Sequence, residues 1–100
     1  VKKLPLSPKF IPWIVSGKKT STIRLGTREY TPGAATIVSR NAAIPIEILE
    51  VKHSQVECLN EQNAHEEGYD NKSDLMSALR EFYPSISDSD EVTIIRFRRK

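Results

Sequence analysis

Cysteine is nearly absent. Cys58 stands alone among 100 residues, so no internal disulfide forms and a cytoplasmic setting is the default expectation. Histidine is almost as scarce. His53 and His65 lie twelve residues apart with Cys58 between them, which is not a paired metal-ligand spacing, so no metal site is expected. Cys58 has no nucleophile signature around it and reads as a buried, inert thiol. Long apolar runs are missing too. The longest, Phe10 to Val15, holds Pro12 and is far short of the ~20 residues a membrane span needs. The opening Val-Lys-Lys-Leu-Pro leads into no apolar segment of the kind that marks a secretory leader. The four glycines make neither a Walker loop nor a dinucleotide fingerprint, and no cofactor is expected. Repeats, linkers and low-complexity stretches are absent as well.

A chain of this length fits one compact domain, residues 1–100, with one small core and no second one. Net charge is only +2, yet its distribution is uneven. Residues 1–30 carry seven basic and one acidic side chain, and residues 91–100 carry four and one. Residues 61–90 carry eight acids against two bases. If the basic ends meet in the fold, they form a patch that attracts phosphate backbones. Keeping a small protein in solution explains the same charges.

Leu4 and Leu6 alternate with polar or turn residues, as in a short strand. Ser7-Pro8 suits a helix start, and Phe10, Ile11, Ile14 and Val15 fall at helical spacing after it. Pro12 makes that helix irregular, and Gly17 stops it as a left-handed cap. Lys19 to Leu25 reads as a strand. Thr31-Pro32-Gly33 is a turn, and Ala34 to Arg40 is another strand. Ile44, Ile46 and Ile48 share one parity, while Leu49 and Val51 take the other, which predicts a bulge. Residues 60–67 form a short helix between Asn60 and Gly68. Residues 73–82 form the clearest helix, capped by Ser73 and closed by Pro84. Val92 to Arg98 is the last strand. Strands outnumber helices without regular alternation, which favours a mostly antiparallel small barrel with helices packed outside.

The most informative segment is Gly17-Lys18-Lys19-Thr20-Ser21-Thr22-Ile23-Arg24. It gathers an amine able to act as a base, hydroxyls able to act as nucleophiles, and a guanidinium able to hold an anion. That mix suits a polar or phosphorylated ligand.

This octet resembles the ASCH family signature G-x-K-x-x-T-x-R, filled by Gly17, Lys19, Thr22 and Arg24. The resemblance extends along the chain. Ile46 to Val51 resembles the family's central strand. Glu66-Glu67-Gly68-Tyr69 resembles its acidic segment, and Tyr83-Pro84 with Ile94 to Phe97 resembles its helix end and closing strand. One departure is visible: Gly33-Ala34 stands where the family often has Gly-Asp. The resemblance implies an α+β fold, a PUA-like small, mostly antiparallel β-barrel with two to three flanking helices. It implies a nucleoside or RNA as partner. Some small single-domain members of the family hydrolyse the amide of N4-acetylcytidine with a Lys, a Thr and a Glu. By motif these fall on Lys19, Thr22 and Glu67, with Glu66 adjacent. Gly17, Lys18 and Arg24 are then the ligand- or RNA-binding positions.

The chemistry sets conditions. A threonine hydroxyl attacks only when something takes its proton, and a lysine takes it only when neutral. A nearby carboxylate opposes this, so Glu67 must be protonated or distant when Lys19 is the base. A charged Lys19 would instead stabilise an oxyanion. Strand parity puts Thr20, Thr22 and Arg24 on one face and Lys19 on the other. Lys19 therefore meets Thr22 only from the Gly17 turn or an irregularity, and that irregularity is expected. Two functions stand: an amidohydrolase on an acylated nucleoside, and a non-catalytic RNA-binding module. Cleavage of RNA is a weaker third, unsupported by any histidine pair. Plainer roles remain open: Arg24 pairing with an acid, Lys18 solvated, Thr20 and Ser21 as ordinary strand residues, Trp13 and Tyr69 as packing.

Overall fold

The computed structural model describes residues 2–100. Among the described residues there are five strands and three α-helices: β1 Lys2–Pro5, α1 Ile11–Val15, β2 Ser21–Leu25, β3 Gly33–Val38, β4 Ala43–Gln55, α2 Glu61–Glu67, α3 Lys72–Phe82 and β5 Glu91–Arg99. The strands form one sheet in the order β1-β3-β4-β5-β2. β1 runs parallel to β3, and every other pairing is antiparallel. The sheet curls into an incomplete barrel. Its two free edges, β1 and β2, approach each other, and the Arg24 Nη2 donates to the Pro5 carbonyl across the gap. This is the α+β, mostly antiparallel architecture the sequence implies, with three flanking helices.

Local chemistry explains the element boundaries. Pro12 lacks a backbone donor, so it is tolerated only in a helix's first turn. The segment accordingly splits into a 3₁₀ turn, Pro8–Phe10, and the five-residue α1 with Pro12 near its start. Ser7 precedes the turn but makes no side-chain cap. Gly17, at φ 83°, takes the left-handed conformation after α1. α2 is fixed at both ends, by a reciprocal Asn60–Asn63 capping box and by Gly68 at φ 97°. α3 starts one residue earlier than the sequence suggests. Asn71, not Ser73, accepts from the Asp74 amide and caps it. The expected bulge is present, as a register shift between Ile48 and Glu50 in the β4–β5 ladder.

Two further expectations are corrected. The buried side chains form two clusters rather than one. Leu4, Ile37, Ile46 and Ile95 are among those inside the curl. Ile23, Leu75, Val92 and Ile94 are among those between the sheet and α2–α3. Because both faces are covered, β5 feeds both clusters, with Val92 and Ile94 on one side and Ile95 and Phe97 on the other. Cys58 is exposed rather than buried. It ends a 3₁₀ turn, Val56–Cys58, in which Val56 takes the inward position.

Candidate active site

β2 begins at Ser21, so Lys18, Lys19 and Thr20 precede the strand. The break arises because the chain leaves the left-handed Gly17, after which the Lys19 amide donates to Trp13 O and the Thr20 amide to Glu66 O. The Lys19 side chain turns inward, is 3% exposed, and meets the same Glu67 carboxyl as Ser21 two positions on. The expected break ahead of the strand is therefore present.

Glu67 comes from the other side. It is the last residue of α2, three positions after Ala64, and both are buried on the helix face turned to the sheet. Glu66 points outward, where Gln62 donates to it. Of the two adjacent acids, Glu67 is the buried one. Lys19 Nζ donates to Glu67 Oε1 at 3.0 Å, and the Ser21 hydroxyl donates to Oε2. Lys19 Nζ also lies 4.8 Å from the centre of the Phe10 ring.

Lys19, Thr22, Arg24 and Glu67 border one pocket of about 110 Å³ at the gap between the sheet's free edges. Thr22 reaches it from the inner face, opposite Ile95 of β5. Among the described residues no hydrogen bond joins Lys19 to Thr22; the amine is directed at Glu67. Phe10, Leu79, Phe82 and Tyr83 supply an apolar and aromatic wall. A cavity of roughly 150 Å³ holds one benzene in an engineered core. At about 110 Å³ this pocket is smaller than that, on the scale of a single small ring.

Burial is the main influence on Glu67. It disfavours the carboxylate and raises the group above its usual value of 4.5. The Lys19 charge and the hydrogen bonds from Ser21 and Lys19 oppose this without cancelling it. Tyr69, also on the pocket, is pushed up to about 12, first by burial and then by the charges of Glu67 and Glu81. Its phenol therefore stays a hydrogen-bond donor across the physiological range.

The remaining candidates separate. Arg24 spans the gap to Pro5 and leaves its Nε buried without a partner among the described residues. Lys18 lies away from the pocket, its Nζ 4.4 Å from the centre of the Trp13 ring. Gly17 shapes the turn that aims Lys19 and does not line the pocket. Trp13 packs edge-on to Tyr69 with ring centroids 5.5 Å apart. The basic ends do meet, since Arg99 donates to the carbonyl of Val15, the last residue of α1. Their charge is partly neutralised, because Arg96 and Arg98 pair with Glu50 and Glu47. Among the described residues no cluster of side chains suits a metal ion, and no helix is long and apolar enough to cross a membrane. Sequence reasoning missed Ser21. Its only signal was a small hydroxyl at a strand position whose neighbour two along, Ile23, is buried.

No family model and no curated protein matches the chain by sequence. Solved structures do match it by shape. The ASCH domain from Lactobacillus crispatus JV V101 aligns with a TM-score of 0.74 and 20% identity, covering 88% of this chain and 68% of that one. The hypothetical protein PH0355 aligns at 0.72 and 18%, covering 98% and 97%. A mutant ASCH protein from Zymomonas mobilis aligns at 0.69 and 19%, covering 96% and 67%. The chain thus has the fold of ASCH-domain structures.

Proposed function

We propose that residues 1–100 act as one ASCH-type domain that hydrolyses the amide of N4-acetylcytidine or a related acylated nucleoside. The carrying observation is convergence: an amine, an alcohol and a carboxyl group from Lys19, Thr22 and Glu67 border one aromatic-walled pocket, although Lys19 and Glu67 are 48 positions apart.

The Lys19–Glu67 pair solves the problem of a base beside an acid. At 3.0 Å the two groups are not separated by distance. Burial disfavours charge on Glu67, and in this reading the pair reacts as the tautomer in which their shared proton sits on the carboxyl. Thr22 Oγ attacks the acetyl carbonyl carbon as its proton passes to Lys19 Nζ. The tetrahedral oxyanion faces donors at the pocket, the Tyr69 phenol and Arg24. Collapse breaks the C–N bond, Glu67 gives its proton to the departing exocyclic nitrogen, and cytidine leaves. An acetyl ester remains on Thr22, beside a Lys19 ammonium and a Glu67 carboxylate. Water then attacks the ester while Glu67 takes its proton, and Lys19 returns a proton to Thr22 Oγ. Acetic acid is released and both groups regain their starting states.

The experiment is incubation with N4-acetylcytidine and chromatography of the products. The wild type releases cytidine and acetate, whereas Thr22→Ala releases about 10²-fold less or none. Absence of turnover by the wild type, or unchanged turnover in Thr22→Ala, rejects the reading. The second reading, a non-catalytic RNA-binding module, draws on the meeting of the basic ends through Arg99 and Val15. It requires salt-dependent RNA affinity that survives Lys19→Ala and falls when Arg96, Arg98 and Arg99 are neutralised.

A further inference from the structure

Ser21 is 1% exposed and sits on the free edge strand of the sheet. Its hydroxyl contacts one oxygen of Glu67, and Lys19 contacts the other. No step of the proposed hydrolysis uses Ser21. Yet those steps need something that a carboxyl group does not supply by itself. A neutral carboxyl carries its proton on either oxygen, and only one of the two oxygens faces Lys19.

We propose that Ser21 is a positioning residue whose donation to Glu67 Oε2 confines the acidic proton of Glu67 to Oε1, beside Lys19. The inference rests on the hydrolase reading for its catalytic consequence. An amine accepts a proton far more readily than an alcohol does, so the shared proton lies on the Lys19 side. The Ser21 hydroxyl is then left to donate to the oxygen that has none. Glu67 is 4% exposed, so solvent does not replace that donor. The other ionisable or charged groups on the pocket are Arg24 from β2, Tyr69 after α2 and Tyr83 after α3. The β1 side contributes only uncharged residues, Pro5, Leu6, Ser7 and Phe10. No hydrogen bond runs to Oε2 from Arg24 or either tyrosine among the described residues.

The test uses the full chain in three forms: wild type, Ser21→Ala and Ser21→Thr, which keeps the hydroxyl. Glu67 is titrated by carbon NMR of its side-chain carboxyl, and hydrolysis of N4-acetylcytidine is measured across pH. In Ser21→Ala, the Glu67 titration and the acidic limb of kcat both move up by about one to two pH units. The same variant loses about ten-fold in kcat with KM unchanged, and Ser21→Thr stays near wild type. If Ser21→Ala does not fold, Ser21→Cys, with its much weaker donor, takes its place. An unmoved Glu67 titration overturns the inference. A Glu67 titration that shifts in Ser21→Ala, together with a wild type that never releases cytidine, overturns the hydrolase reading instead and leaves the hold of Ser21 on Glu67 standing.

Discussion

Replacing Lys19 by Met separates the electrostatics of the site from its packing. Methionine fills similar space, and its thioether keeps a favourable contact with the Phe10 ring. The substitution removes the 3.0 Å bond to Glu67 and, among the described residues, the one cation paired with that carboxyl, where the two side chains are 3% and 5% exposed. At alkaline pH the carboxylate is left buried without its partner, a change that costs roughly 3–5 kcal/mol. At acidic pH the same carboxyl is protonated. The loss then falls to that of one hydrogen bond, about 1 kcal/mol. The deficit of Lys19→Met relative to wild type should therefore widen by about 2–4 kcal/mol from acid to alkaline conditions. A domain of this size shifts its Tm by about 4–8 °C per kcal/mol, so a deficit of ~3 kcal/mol lowers Tm by roughly 12–24 °C. Urea unfolding monitored by Trp13 fluorescence at several pH values measures it. The double variant Lys19→Met/Glu67→Gln should lose the widening. A deficit equal at all pH values, or larger in acid, refutes the reasoning.

Two further outcomes come from the same geometry. Glu67 is held above 4.5 in the folded chain, so it ionises more readily when unfolded. Wild-type stability then falls as pH rises from about 4.5 through the folded value, and Glu67→Gln, lacking this group, gains relative to wild type by up to about 1.36 kcal/mol per pH unit across that window. Paired urea melts across pH check the sign. Gly68 sits at φ 97°, and a Cβ there would lie 2.9 Å from Trp13 Cε3. Gly68→Ala should therefore lose about 1–3 kcal/mol in the same assay and, by moving the adjacent Glu67, also lower turnover.

Much of this fold was legible in local signals. Gly17, Gly68, Asn60 and Pro84 mark helix ends by backbone chemistry that needs no tertiary context. The parity change around Leu49 announced the register shift in β4. A break ahead of the motif strand was expected, and the chain does leave the Gly17 turn before β2 begins at Ser21. The choice between Glu66 and Glu67 was not legible, because it depends on which face of α2 meets the sheet. Ser21 was missed for a similar reason. Its partner lies 46 positions away, and a serine in a strand carries no sign of what it will face. The single expected core failed on topology. Only the curl of the sheet reveals that both of its faces are covered, one by its own far edge and one by helices. Ser73 lost the cap of α3 to Asn71, whose side chain reaches the Asp74 amide at 2.8 Å.

In the proposed hydrolysis, Thr22 is the group that takes up the acyl fragment. Rapid acid quenching of the full chain during turnover of N4-acetylcytidine, with peptide mass spectrometry of the quenched protein, reads this directly. One acetyl group on the peptide containing Thr22, absent from Thr22→Ser after hydroxylamine treatment and absent from Thr22→Ala throughout, is the predicted result. Acetyl found on Lys19, or steady release of acetate by Thr22→Ala at the wild-type rate, contradicts it.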